Sequence, residues 1–106
     1  MYKLLSIITK PGAMSLQNFL AYWQNEHAAL AKQLPGLRHY VQNTVVKKER
    51  ASAQAIQADG FVELWFDSKE AMEAAFASDI GRQLIQDEKH FIGELDAYSV
   101  NELIIV

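Results

Sequence analysis

The sequence contains no cysteine, which excludes disulfide bonds and thiolate chemistry. It has no excess of positive charge either: 10 basic and 13 acidic residues are well mixed and give a net charge of -3. Nucleic acid is therefore not expected as a partner, because binding it needs a basic stripe that displaces counterions. No apolar run approaches the roughly 20 residues of a membrane-spanning helix. No signal peptide is recognisable, so we expect a cytoplasmic protein without a membrane partner.

Motifs for phosphate and metal binding are absent too. The five glycines form no glycine-rich loop that would cradle a nucleotide or flavin. The three histidines lie in distant segments, and no H-E-x-x-H motif occurs. The sequence therefore predicts neither a metal site nor an organic cofactor.

Half of the 106 residues are hydrophobic, which predicts one folded domain over residues 1–106. Apolar and β-branched runs, separated by proline, glycine and capping residues, indicate the order βαββαβ. This order predicts an α+β, ferredoxin-like fold, with a four-stranded antiparallel sheet and helices on one face. The strands are predicted over residues 2–9, 37–48, 61–66 and 95–106. A helix is predicted over residues 15–34, a loop over 49–58, and two further helical segments after Asp67 and after Ser78.

The first, third and last predicted strands are apolar on both sides. Two helices can cover only one face of the sheet, so the other face would expose a large apolar patch in a monomer. We therefore predict a homodimer in which two sheets pack face to face and close into a dimeric α/β barrel. Glu63 is an isolated acid on the third strand and needs a basic partner, which could come from across the dimer.

His27 interrupts an otherwise apolar helical stripe. Steps of four and three place six side chains on one face of the first helix: Leu16, Leu20, Trp23, His27, Leu30 and Leu34. An ionisable group aimed at a core is either a structural histidine, bonded to a carbonyl or a carboxylate, or the working group of a pocket. Glu26 lies about 100° around the helix, so it is not expected to orient the imidazole.

Three motifs together carry a family resemblance. They are W-x-x-x-H from Trp23 to His27, L-P-G-L at residues 34–37 with Tyr40 after it, and E-L-W-F-D-S at residues 63–68. With these motifs, almost the whole chain outside the predicted loop resembles the EthD-like family. The resemblance implies a ferredoxin-like monomer, a barrel dimer, and a pocket between the sheet and the helices of each subunit.

The family is associated with degradation of small organic compounds and with polyketide-type metabolism. A methylisomerase of unsaturated lactones, similar to this chain, uses a histidine and a tyrosine that match His27 and Tyr40. It also uses a cysteine on the third strand, where this chain has Leu64. The match implies that Leu64, and with it Val62 and Phe66, faces the pocket.

These residues form the candidate site. His27 is the candidate general base or acid. Tyr40 is the candidate donor to a substrate oxygen, or alternatively an interfacial aromatic with its hydroxyl in water. The expected apolar lining consists of Trp23, Leu64, Phe66 and Phe91, side chains that would otherwise belong to the core.

Several functions remain open on these grounds. The first is an enzyme without cofactor that moves a proton on a small apolar carbonyl, lactone or aromatic compound, as an isomerase or lyase. A cofactor-free monooxygenase is a related possibility, and a non-catalytic dimer that binds such a compound, or a purely structural dimer, is the alternative. Retention of His27 and Tyr40 favours the enzyme, whereas Leu64 in place of a proton donor favours the binding protein.

Overall fold

The computed structural model describes residues 1–106 and consists of one sheet packed against a layer of helices. The strands are β1 (Tyr2–Thr9), β2 (His39–Thr44), β3 (Gly60–Phe66) and β4 (Glu94–Val100). The helices are α1 (Leu16–Tyr22), α2 (Ala28–Ala31), α3 (Lys69–Ala77) and α4 (Asp79–Asp87), with a π turn (Trp23–His27) between α1 and α2 and a 3-10 turn (Glu88–His90) after α4.

The sheet has the strand order β2-β3-β1-β4, and all neighbouring strands are antiparallel. This arrangement confirms the predicted ferredoxin-like α+β fold. None of its helices has the length and apolar character that crossing a bilayer requires.

Serine side chains start three of the helices. The hydroxyl of Ser15 accepts a hydrogen bond from the backbone N–H of Asn18, and Ser68 and Ser78 cap α3 and α4 in the same way. Each cap satisfies a backbone donor that has no partner within its helix. Because these signals are local, the predicted starts of the three helices agree with the observed ones.

The first helix differs from its prediction because it contains a π turn. Leu16, predicted to face the core, is 46% exposed, and Phe19 is fully buried in its place. The N–H of Ala28 bonds to the carbonyl of Trp23, five residues earlier, so this turn holds one residue more than an α-turn. The wider turn keeps Phe19, Trp23 and His27 aligned at steps of four, whereas the prediction assumed one unbroken α-helix.

Two strands end earlier than predicted. β4 stops at Val100, which pairs with Lys3, because β1 has only Tyr2 left to pair beyond that point. The apolar residues 103–106 therefore lie outside the sheet and are exposed. β2 occupies only residues 39–44 of the predicted 37–48.

The face of the sheet opposite the helices is apolar and incompletely covered. Because side chains alternate along a strand, this outer face carries the partly exposed hydrophobic residues Leu5, Ile7, Phe61, Trp65 and Tyr98. Only 14 of the 106 residues are buried, and none of these five is among them. A single chain thus leaves one side of its sheet open.

Glu63 lies on this outer face and finds its basic partner within the chain. The Nζ of Lys3 lies 2.5 Å from its carboxylate and 3.0 Å from that of Glu102. Lys3 also lies over the ring of Trp65, 4.6 Å from its centroid. Hydrogen bonds from Lys3 and Asn43 hold the pKa of Glu63 below its usual value. A partner from across a dimer is not needed to satisfy this acid.

Candidate functional site

A cavity of about 330 Å³ lies between the inner face of the sheet and the helices. Twelve of its fifteen lining residues are hydrophobic, and they come from β1, β3, β4, α3, α4, the π turn and the segment before β4. The polar lining residues are Ser6, His27 and Glu88. A largely apolar cavity with few polar groups is the usual form of a small-molecule site.

His27 closes the π turn and is 8% exposed. Its Nδ1 lies 2.9 Å from Oδ2 of Asp87, the last residue of α4. A carboxylate only accepts hydrogen bonds, so Nδ1 carries the proton and Nε2 keeps its lone pair. No other hydrogen bond engages the ring, which leaves Nε2 available to a ligand. The ring of Phe91 packs against the imidazole with a centroid separation of 4.6 Å.

Burial and the carboxylate act on His27 in opposite directions. Burial lowers the pKa of the imidazole, and the hydrogen bond and charge of Asp87 raise it, with burial dominant. The pKa of His27 therefore lies below its ordinary value of 6.5, and the ring is neutral at neutral pH. A neutral imidazole beside a carboxylate is ready to accept a proton.

Tyr22 fixes the second oxygen of Asp87. Its hydroxyl donates a 2.6 Å hydrogen bond to Oδ1, and this bond raises the pKa of the phenol to about 12. Burial alone would raise the pKa of Asp87, but the hydrogen bonds from Tyr22 and His27 outweigh it and leave that pKa below its usual value. The carboxylate thus stays ionised and has both oxygens held in place.

The backbone at the start of the π turn is held from β2. The side-chain amide of Gln42 donates to the carbonyl of Trp23 at 2.9 Å and to the hydroxyl of Tyr40 at 2.7 Å. Burial raises the pKa of Tyr40, so its hydroxyl stays protonated. π turns occur frequently at functional sites.

Glu88 follows Asp87 directly and contributes a second carboxyl group to the cavity. Its side chain has no hydrogen-bond or ion-pair partner in the chain, and burial raises its pKa. Ser6, on β1, is buried and is the one hydroxyl on the lining. No three histidine, aspartate or glutamate side chains come together in a way that would hold a metal ion.

The six residues proposed from the sequence fall into two groups. His27, Trp23, Leu64 and Phe91 line the cavity. Phe66 and Tyr40 do not line it. Phe66 is fully buried in the core cluster with Ala31, Leu34 and Leu84, so its assignment as a substrate contact is not retained.

Gly60 explains how Trp23 reaches the cavity wall. A Cβ at this position would collide with the indole ring, so the ring lies directly on the backbone of β3.

At the other end, the cavity opens between α4 and β4, where Ile85 and Leu95 are 49% and 37% exposed. Ligands therefore have an apolar entrance at the edge of the sheet.

Asp87, Glu88 and Ser6 were not found by sequence reasoning. The bond between His27 and Asp87 spans 60 residues, and no local spacing reveals such a contact. The sequence did contain one signal for Ser6. It is a polar residue at the same side of β1 as the apolar Leu4 and Ile8, which lie two residues before and after it.

The chain also resembles known proteins in sequence. The EthD domain model matches residues 11–94. A 4-carboxymethyl-4-methylbutenolide mutase from Pseudomonas reinekei is 27% identical over 111 residues, which cover 98% of this chain and 100% of the mutase.

Solved structures show the same fold. An EthD family protein from Bacillus halodurans C-125 matches with a TM-score of 0.80 and 26% identity, over 97% of this chain and 99% of that one. A dimeric ferredoxin-like protein from Thermobifida fusca YX matches with a TM-score of 0.72 and 11% identity, over 93% and 88%.

Proposed function

Because this chain belongs to the EthD domain family, we propose that it is an enzyme of the isomerase or lyase type. It would move a proton on a small, largely apolar carbonyl or lactone compound without a cofactor, in catabolism or secondary metabolism. The mutase that resembles it over its full length supports an isomerisation. His27 is the proposed catalytic residue.

One observation carries the proposal: a neutral histidine, held by an ionised aspartate, lines an apolar cavity. Burial keeps the imidazole unprotonated, and because Nδ1 is bonded to Asp87, Nε2 is the nitrogen that His27 can offer to a ligand. When Nε2 accepts a proton, the resulting cation lies beside the Asp87 carboxylate, which stabilises it.

The proposed reaction starts at a carbon next to the substrate carbonyl. Nε2 of His27 takes the proton from that carbon, the C–H electron pair moves to the carbonyl oxygen, and an enolate forms. The imidazolium then returns the proton at another carbon, which shifts the double bond and restores neutral His27. The substrate oxygen carries negative charge in between, and the hydroxyl of Ser6 is the lining group proposed to donate to it.

Tyr40 has a different proposed role. It does not line the cavity, but it bonds to Gln42, which in turn holds the Trp23 carbonyl at the start of the π turn. We therefore regard Tyr40 as a positioning residue that acts on His27 through this turn.

We also propose that the protein works as a homodimer through its outer sheet face. The partly exposed side chains of Leu5, Ile7, Phe61, Trp65 and Tyr98 form an apolar surface of the kind that monomers rarely leave open. Structural neighbours with this fold are dimeric. Sedimentation should show a dimer for the wild type and a monomer for Ile7→Asp; a wild-type monomer at micromolar concentration would refute the proposal.

A binding protein without turnover is the second candidate. It is favoured by Leu64, an apolar residue where the similar lactone isomerase has a proton-donating cysteine. Such a protein would bind the same ligands through the same cavity but would not exchange their protons.

Deuterium exchange separates the two candidates. In heavy water, the enzyme should accelerate exchange and double-bond migration of α-angelica lactone, a small uncharged unsaturated lactone, as followed by proton NMR. His27→Gln should abolish the acceleration while keeping the fold, as checked by circular dichroism. His90→Gln is the matched control, because it removes an exposed histidine outside the cavity. Exchange at the uncatalysed rate in the wild type, with the ligand bound, would leave the binding protein as the function.

A further inference from the structure

We propose that the cavity selects uncharged ligands and that the carboxyl group of Glu88 is the residue that discriminates against carboxylate-bearing ones. This inference rests on the proposed function, because it names the class of compound that the same cavity accepts. Glu88 is then a specificity-determining residue, and the compound on which His27 acts carries no anionic group.

The lining contains no permanent positive charge. No lysine or arginine is among its fifteen residues, and its two titratable side chains are His27 and Glu88. His27 is neutral at neutral pH, and the group behind it is the ionised carboxylate of Asp87. In mildly alkaline solution, the charged groups of the lining and of the His27 pair are therefore both carboxylates, Glu88 and Asp87.

Glu88 has no neighbour that neutralises it. Lys89 directs its ammonium group to the side chain of Gln86 at 3.2 Å, and His90 packs beside the ring of Tyr22. Neither is a lining residue. An anionic ligand would thus enter against Glu88 and find no counter-ion.

The cost of this arrangement falls on anionic ligands. A carboxylate that leaves water needs a cation or several strong donors in exchange, and like charges in a site of low dielectric repel. An uncharged lactone or ester loses little hydration and gains contact with the twelve hydrophobic lining residues. The mutase from Pseudomonas reinekei is named for a compound with a carboxymethyl group. We therefore expect this chain to act on a different, uncharged compound.

A matched pair of ligands tests the selectivity. Methyl coumarin-3-carboxylate and coumarin-3-carboxylate share one fluorescent lactone scaffold and differ in a charge. Titration calorimetry in mildly alkaline buffer should show the ester binding at least about tenfold more tightly than the acid.

Glu88→Gln tests the residue. The substitution keeps the size of the side chain and removes its charge, so affinity for the acid should rise about tenfold while affinity for the ester changes by less than about twofold. Glu73→Gln is the matched control, since it removes an exposed acid from the outer surface of α3 and should change neither affinity.

The outcomes separate this inference from the function on which it rests. Equal binding of acid and ester to the wild type overturns the selectivity and leaves the proposed function standing. A preference that Glu88→Gln does not reduce overturns the role of Glu88. If neither compound binds, the cavity is not a site for small lactones, and both proposals fail.

Discussion

Each side of the sheet carries one acid–base pair in apolar surroundings, and the two pairs differ in their protonation states. On the inner face, burial lowers the pKa of His27 and dominates over its bond to Asp87. On the outer face, the bond to Glu63 raises the pKa of Lys3 and lowers that of Glu63. The outer pair is locked in its charged form, whereas the inner histidine sits neutral beside an anion.

This difference shows how to distinguish a working group from a structural one. A pair whose pKa values are driven apart cannot exchange protons with a ligand near neutral pH, and it serves the fold. A base that burial keeps neutral can accept one, and its partner can stabilise the product.

The largest expected effect follows from removing the inner carboxylate. Asp87→Asn should lower the rate of proton exchange by about a hundredfold or more, because an amide can hold the wrong tautomer of His27. NMR exchange rates check this, and Asp79→Asn, an exposed change on the same helix, serves as the control. A rate within twofold of the wild type would show that Asp87 does not orient the imidazole.

The matching change on the outer face should affect stability instead of rate. Glu63→Gln removes the ion pair with Lys3 and should lower the free energy of unfolding by about 1–2 kcal/mol, with turnover per folded molecule unchanged. Because the folded-state pKa of Glu63 is lowered, its contribution is present above the unfolded value of 4.5 and is lost as the pH falls through the folded pKa. Urea titrations of both proteins across this range should therefore converge in acid.

The pH dependence of the reaction tests the inner face without a change in sequence. Since the free base is the active form and the pKa of His27 is lowered, the rate should fall in acid with a midpoint below pH 6.5. In Asp87→Asn, the midpoint should move further toward acid, because Asp87 raises this pKa. A midpoint above 6.5 in the wild type would contradict the dominance of burial.

The smallest expected effect concerns Tyr40. Tyr40→Phe removes a hydroxyl that bonds to Gln42 but does not line the cavity, so kcat should fall by only a few fold with KM unchanged. A large rise in KM would instead mean that the hydroxyl contacts the substrate. Gln42→Leu, which also releases the Trp23 carbonyl, should give a greater loss than Tyr40→Phe.

Sequence patterns predicted the order of strands and helices along the chain and the helix caps well, because both depend on residues that are close in sequence. The limits of β1 and the starts of α3 and α4 follow from short signals such as Ser68 and Ser78. The π turn escaped prediction because a 3.6-residue period assumes an unbroken helix. Leu16 was also misplaced, since it is the first residue of α1 and is exposed there.

The site was predictable only in part. Spacing and family resemblance pointed to His27. Its partner Asp87 and the second acid Glu88 lie far along the chain, and only the packing of α4 beside α2 and the π turn brings them there. The alternation of side chains along β3 predicted that Leu64 faces the helices, and Leu64 does line the cavity. Phe66 shows that facing the helices is not the same as reaching the cavity, since the packed core covers it.

The two tryptophans give each face its own optical reporter. Trp23 lies in the cavity wall against the backbone of Gly60, and Trp65 lies on the outer face beside Lys3. With Trp65 replaced by phenylalanine, quenching of the remaining emission would follow ligand entry. With Trp23 replaced, a spectral shift would follow association of two chains. Ligand binding in the cavity and association of two chains can thus be followed separately by the intrinsic fluorescence of the two tryptophans, without any attached label.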